Sequence, residues 1–375
     1  MAKNIKKICW HVTLFLILNP VISIALLVLY LVFSSSYSTT VLAWSILFAS
    51  IFAILTNLSI TMGYHRLFAH KSFEAHPILE AFLLFIGAGA FQGSALKWAS
   101  DHRIHHRFED TDKDPYSIKK GFWYAHMGWM MQNESVSIPI HAPDLEKNKL
   151  VRFQHKYYLS SAVFVGYILP MVIGAFFGNA FFGLIIGGGI RIFLTQQSTF
   201  FVNSLSHTLG KTPYSLDKTA KDSIVVAFLT HGEGYHNFHH KFQFDYRNGI
   251  RWYHWDPTKW SIQLAHIIGL AKKLKTVNFS EIIKARLQVE SDKFKNSHIF
   301  AEKLEPVLEK IIQSQQKFEQ LKIEYKNAGT EKVAVLKAEL KAEMALAQIE
   351  FESNMKKWRV LIKSFNSNAY LITLK

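Results

Sequence analysis

The sequence predicts an all-α integral membrane protein: four transmembrane helices in two hairpins, a cytoplasmic helical cap rich in histidine, and a C-terminal helical hairpin or coiled coil. Three observations carry that expectation. Apolar residues, 49% of the 375, are bunched into long runs and not spread along the chain as in a soluble protein. Nine of the 18 histidines fall in four tight groups. Beyond about Thr276 the composition turns to Lys, Glu, Gln, Leu and Ala.

The apolar runs cover residues 11–33, 41–63, 157–178 and 180–201. At 1.5 Å per residue, 22 or 23 helical residues reach roughly 33 Å, enough for a hydrocarbon core of about 30 Å. A signal peptide at the first run is disfavoured, because it lacks a small-residue cleavage site and a second apolar run follows closely. The connectors 34–40 and 178–180 carry no charge, whereas Lys and Arg fall before His11, between Tyr64 and Lys156, and after Phe201. The positive-inside rule therefore puts both termini and the long central loop in the cytoplasm. The formal charge of +15 reads first as topology, and no nucleic-acid recognition module is visible. The single cysteine, Cys9, suits a reducing compartment.

Residues 77–98 are apolar apart from Glu80 and Lys97. A fifth span there would separate His65 from His102 across the bilayer, so an interfacial or re-entrant helix is expected. The membrane domain is then residues 1–275, with a helical extension over 276–375. In the extension Leu304, Leu308, Ile311, Phe318 and Tyr325 recur at heptad-compatible steps, and 327–330 reads as a turn. A second stripe runs through Val333, Leu336, Leu340, Met344, Phe351, Met355 and Trp358. An antiparallel hairpin that packs, or self-associates, follows.

The histidines carry the chemistry. His65 and His70 form H-x4-H; His102, His105 and His106 form H-x2-H-H, and His236, His239 and His240 repeat it; His207 stands alone. On a helix each triplet shows three imidazoles on one face. Six clustered rings without a metal would leave ring nitrogens unpaired or invite repulsive protonation. A metal removes that cost, since neutral imidazole ligates Fe, Zn, Cu or Ni. Nine rings exceed a zinc site and suit two ions. Asp101, Glu109 and Glu233 adjoin the clusters as acceptors for the outer ring N–H groups. The charge rule places all four groups on one membrane face.

In Gly63-Tyr-His-Arg-Leu-Phe-Ala-His70, Asp101-His-Arg-Ile-His-His106, Asn203-Ser-Leu-Ser-His207 and Gly232-Glu-Gly-Tyr-His-Asn-Phe-His-His240, the chain resembles the membrane fatty acyl desaturase family, especially its Δ9 acyl-CoA branch. The resemblance runs from roughly Leu14 to Leu270. It implies two iron ions (Fe2+) held by His65, His70, His102, His105, His106, His207, His236, His239 and His240, with Asn203 reaching one through a water. It implies an acyl tunnel whose kink is shaped by Gln92, Trp98 and Thr199, and a matching arginine, Arg191, which must be paired within the fourth span. O2 is the implied co-substrate, and a cis double bond is inserted into a chain carried on CoA or lipid. Neither a haem box nor a flavin or nicotinamide fingerprint is present, so a separate cytochrome b5 or ferredoxin, with its reductase, is the implied donor. The chain departs from animal relatives at Ser100 and at Asn133 and Glu134, where they carry cations that grip CoA phosphates; Lys119, Lys120, Arg247 and Arg251 are candidates to compensate. The expected location is a bacterial inner membrane or the endoplasmic reticulum. The competing readings are a di-iron hydroxylase or monooxygenase, a metal transporter, and a membrane haem protein.

Overall fold

The computed structural model describes residues 7–34, 37–132, 138–294, 300–327 and 334–372. Four helices are long and apolar enough to cross a bilayer: α1 (Trp10–Phe33), α2 (Thr39–Ala69), α5 (Tyr158–Phe176) and α6 (Ala180–Thr208). Only 11% of the apolar window of α1 is buried. The outward side chains, such as Val21, Val28 and Phe33, are apolar, which is the pattern of a helix solvated by lipid.

Where the spans meet, glycine sets the distance. A Cβ at Gly183 would strike the Pro170 carbonyl, so the backbones of α5 and α6 approach as only small residues allow. Arg191 is 1% exposed and has no carboxylate beside it. Its guanidinium instead donates to the carbonyls of Gly187, Gly89 and Gly166 and to Thr56 Oγ1, at 2.8–3.3 Å, and lies 4.7 Å over the Phe52 ring. One planar fork thus ties four segments together.

Two helices overrun the apolar runs that predicted them. α2 continues from 63 to Ala69 and α6 from 201 to Thr208, and the extensions carry His65 and His207. The last part of α2, Ser59–Ala69, is wound as a π-helix.

The stretch 77–98 is not one helix. α3 (Pro77–Ala88) ends at Gly89, and α4 (Ala95–Phe108) starts on a new axis with Ser94 Oγ accepting from Lys97 N. Phe91 at φ 55° and Gly93 at φ 88° make the break; left-handed backbone cannot continue a helix. α4 therefore carries Trp98 and the first histidine triplet together. The face Ile78, Phe82, Phe85 of α3 is exposed.

After α6 come α7 (Ile224–Leu229), α8 (His236–Lys241) and α9 (Pro257–Ile267). Glu74–Ala75 pairs antiparallel with Ala271–Lys272. This first compact unit comprises residues 1–212 and 217–276; residues 213–216 and 277–375 form a second. The second contains α10 (Phe279–Asp292), α11 (Glu305–Asn327) and α12 (Ala334–Ile372). Leu287, Leu304, Ile311 and Trp358 form its core. The α12 stripe continues through Ala347 and Asn354, both buried. On α11 Leu321 is buried while Tyr325, expected in the stripe, is exposed. Val333 and the turn residues 328–330 lie outside the described residues, as do Asn133 and Glu134.

Candidate metal centre

Four elements deliver the nine imidazoles. In α2 the His70 N–H donates to the His65 carbonyl at 3.0 Å, a bond across five residues, so one wide turn brings the two rings edge to face with centroids 4.7 Å apart. α4 presents His102, His105 and His106 from successive turns, and the end of α6 presents His207. The six-residue α8 would not persist alone. It is pinned by the preceding segment: Asp222 Oδ1 accepts from Phe238 N at 3.0 Å, and Asn237 Nδ2 donates to the Ala220 carbonyl at 2.9 Å. The approach to α8 needs Gly232 at φ 104°, where any Cβ would collide with Asp256.

The rings gather in two groups. His65, His70, His102, His106 and His239 form one and His105, His207, His236 and His240 the other, with the ligand nitrogens in each all within 4.8 Å of one another. Nε2 atoms face Nε2 atoms: His65 and His239 at 3.0 Å, His70 and His102 at 2.9 Å, His240 and His236 at 2.9 Å. In four of the nine rings the opposite nitrogen is engaged elsewhere. His65 Nδ1 contacts Glu233 Oε2 at 2.9 Å, His105 Nδ1 contacts Asp114 Oδ1 at 2.9 Å, and His102 and His207 meet Tyr116 and Thr219 through Nδ1 at 3.1 and 2.8 Å. A neutral imidazole that donates from Nδ1 has only a lone pair at Nε2. Lone pairs therefore point at lone pairs in a buried space, and a cation is the species that reconciles them. Burial, and next the neighbouring rings, hold His70, His102, His106, His239 and His240 well below the ordinary histidine pKa. They are neutral and ready to ligate.

Carboxylates brace the outer edge. Burial alone would push Glu233 up, but His65 and Arg66 outweigh it and hold it at about 2. Arg66 bonds Glu233 Oε1 at 2.9 Å and Asp256 Oδ1 at 3.0 Å. Glu109 Oε2 lies 2.7 Å from His240 Nδ1, close but off the line of a hydrogen bond, and burial raises this carboxyl to about 7 against the pull of His105 and Lys218. Asp101, expected beside a ring, instead grips Lys97 Nζ with both oxygens at 2.6 and 2.7 Å. Asp114, Tyr116, Thr219 and Arg66 were not singled out in the sequence. Asp114 and Tyr116 follow the first triplet within the loop, and nothing in their spacing marks them.

Beside the first group lies a cavity of about 90 Å³. Its wall runs from Lys97, Asp101 and Tyr116 past His65 and His102 to Asn57 and Ile60. Gln92, Trp98, Thr199 and Asn203 all line it. Gln92 Nε2 donates to Thr199 Oγ1 at 2.9 Å, and Trp98 stacks on His102 with centroids 4.9 Å apart.

A sequence model described as fatty acid desaturase matches residues 38–263, the segment that holds all nine rings. The chain belongs to the fatty acid desaturase family. It is 42% identical over 250 residues to acyl-CoA desaturase 1 of Saccharomyces cerevisiae, covering 66% of this chain and 49% of that protein. It is 43% identical over 255 residues to a probable acyl-CoA desaturase of Schizosaccharomyces pombe, covering 67% and 53%. An sn-1 stearoyl-lipid 9-desaturase of Anabaena variabilis is 36% identical over 224 residues, covering 59% and 80%. The chain thus spans about half the length of the two fungal relatives it matches, and the desaturase-family segment ends before the C-terminal helices α10–α12.

Proposed function

We propose that this desaturase-family protein removes two hydrogens from adjacent methylenes of a saturated acyl chain, leaving a cis double bond at Δ9. The observation that carries the reading is the pairing of two groups of ring nitrogens with a largely apolar cavity that touches His65 and His102. Two irons held by the nine histidines, with Asn203 reaching one through a water, would supply reductive activation of O2. The remaining work belongs to the protein. Trp98, Gln92 and Thr199 bend the chain so that one methylene pair lies against the metal side, and the apolar wall excludes water there. Glu233 and Asp114 keep the ring nitrogens of His65 and His105 turned inward.

The fungal relatives are named for acyl-CoA and the cyanobacterial one for a stearoyl lipid; the substrate is an acyl chain on one of these carriers. Ser100 accepts from His141 N at 2.8 Å and stands where the resemblance puts an arginine in animal acyl-CoA desaturases. Electrons come from a separate cytochrome b5 or ferredoxin with its reductase. Both termini and the metal centre face the cytoplasm, of an endoplasmic reticulum or bacterial inner membrane, with α3 in the interface. Expression in a desaturase-deficient host, followed by lipid analysis that locates the double bond, tests this. Growth rescue with Δ9-unsaturated lipids is expected; saturated lipids alone from iron-loaded protein with a competent donor would refute it.

A further inference from the structure

The charge rule assigned everything after residue 201 to the aqueous phase, yet an exposed apolar surface lies there. On α9 the side chains of Trp260, Leu264, Ile267 and Ile268 are exposed, Ile267 to 79%, while Thr258, Ile262 and Ala265 are buried. On α7 Ile224, Val225 and Phe228 face outward and Val226 and Ala227 inward. The two outward faces are one surface. Phe228 lies 5.1 Å from Trp255, and Trp255 lies 5.6 Å from Trp260. Trp252, 85% exposed, and Tyr253 extend it next to exposed Arg251.

Both helices are fastened to the ends of spans. Ser198 Oγ of α6 donates to the Leu229 carbonyl at 2.7 Å, and Thr61 Oγ1 of α2 lies 2.7 Å from Thr258 Oγ1. Ser198 and Thr61 sit two or three residues before the apolar runs end. The surface is therefore continuous with the lipid-facing sides of α2 and α6 and begins at the level where hydrocarbon gives way to headgroups. A patch of this kind is a liability in water. Indole and phenol rings with polar edges, flanked by arginine, are what that boundary selects.

We infer that α7, α9 and the Trp252–Trp255 turn form a collar seated in the headgroup region of the bilayer, with a phospholipid surface as its partner. The inference rests on the reading of α1, α2, α5 and α6 as spans. The collar also fixes the depth of the cavity, because Thr61 and Ser198, the span residues to which the two helices are attached, line it.

The test uses the full chain, alone, in phosphatidylcholine vesicles. Cys9, 1% exposed, leaves single added cysteines to be labelled with an environment-sensitive fluorophore: Ile224→Cys and Ile267→Cys in the collar, Val21→Cys on the lipid face of α1, and Asp112→Cys on the exposed loop after α4. At positions 224 and 267 quenching by spin-labelled lipid is expected to exceed quenching by aqueous iodide several-fold, as at Val21, with the reverse at Asp112. Iodide access at 224 and 267 with Val21 still lipid-quenched would overturn the collar while leaving the spans intact. Protection from both quenchers would mean that protein covers the face, which also overturns it. Iodide access at Val21 would overturn the membrane reading and the collar with it.

Discussion

Glu233 Oε2 accepts from His65 Nδ1 at 2.9 Å, and this contact commits the opposite nitrogen of His65 to the cluster. The carboxylate is itself held in place. Asn248 Nδ2 donates to the same oxygen at 2.7 Å, and Arg66 grips the other oxygen while bridging to Asp256. Replacing Glu233 by Gln keeps the shape but removes the charge that faces His65 Nδ1 and leaves Arg66 half paired. Losing such a partner typically lowers metal affinity about 10–100-fold. Iron content after dialysis against a graded chelator series is expected to fall at the His65 group first. Retention equal to the parent protein would remove Glu233 from the role given to it.

The two histidine groups predict two separable metals. His102→Ala strips a ligand from the five-ring group and His236→Ala from the four-ring group. Each variant is expected to bind about half the parent's iron and to abolish turnover. Membrane insertion should persist, since the apolar spans drive it. Metal counting on membrane-purified protein checks this, and a full complement of iron in either variant would refute that ligand.

A pH dependence follows from Asp144. Its oxygens take Arg103 Nη1 at 2.7 Å and Lys71 Nζ at 2.9 Å, and Arg103 also caps the carbonyls of Phe68 and Ala69 beside His70. Hydrogen bonding from Arg103 holds this carboxyl well below the usual aspartate range. A depressed carboxyl contributes stability that is fully present above its unfolded pKa of about 3.9 and disappears as pH falls through the folded value. Because the pair is partly exposed, the contribution is about 1 kcal/mol or less. Asp144→Asn should therefore lower Tm at pH 7, and the gap from the parent protein should close as the pH drops below 4. A gap independent of pH would mean that Asp144 acts through packing alone.

How far the sequence revealed this site depends on the helix type. The two H-x2-H-H triplets are readable because α-helical spacing puts three rings on one face. His65 and His70 are not. Five residues on an α-helix are about 140° apart, which argues against a shared site, yet the π-wound end of α2 brings them edge to face with a five-residue hydrogen bond. No local propensity announces that turn. The break after Ala88 has a similar cause: Phe91 takes a left-handed conformation that apolar periodicity cannot foretell. Asp114 and Tyr116 reach the rings only because the loop after α4 folds back over it, which is tertiary information. The spans, by contrast, rest on long apolar runs, and the four apolar helices begin and end within a turn of those runs except at the C-terminal ends of α2 and α6.

The C-terminal unit offers a test of packing independent of the metal. Trp358 is 1% exposed, packs among Leu287, Leu304 and Ile311, and donates from Nε1 to Glu290 Oε2 at 2.7 Å. It thus contributes both volume and one charge-assisted hydrogen bond across α12 and α10. Trp358→Ala removes both and should cost about 3–5 kcal/mol, enough to free α10–α12 for proteolysis and to reduce helical circular dichroism. Trp358→Phe keeps most of the ring but leaves Glu290 without its donor, and should cost about 1.5–3 kcal/mol. Iron content should not change in either variant, because none of the nine rings lies in this unit. If Phe proved as damaging as Ala, the hydrogen bond to Glu290 and not ring volume would hold the unit together.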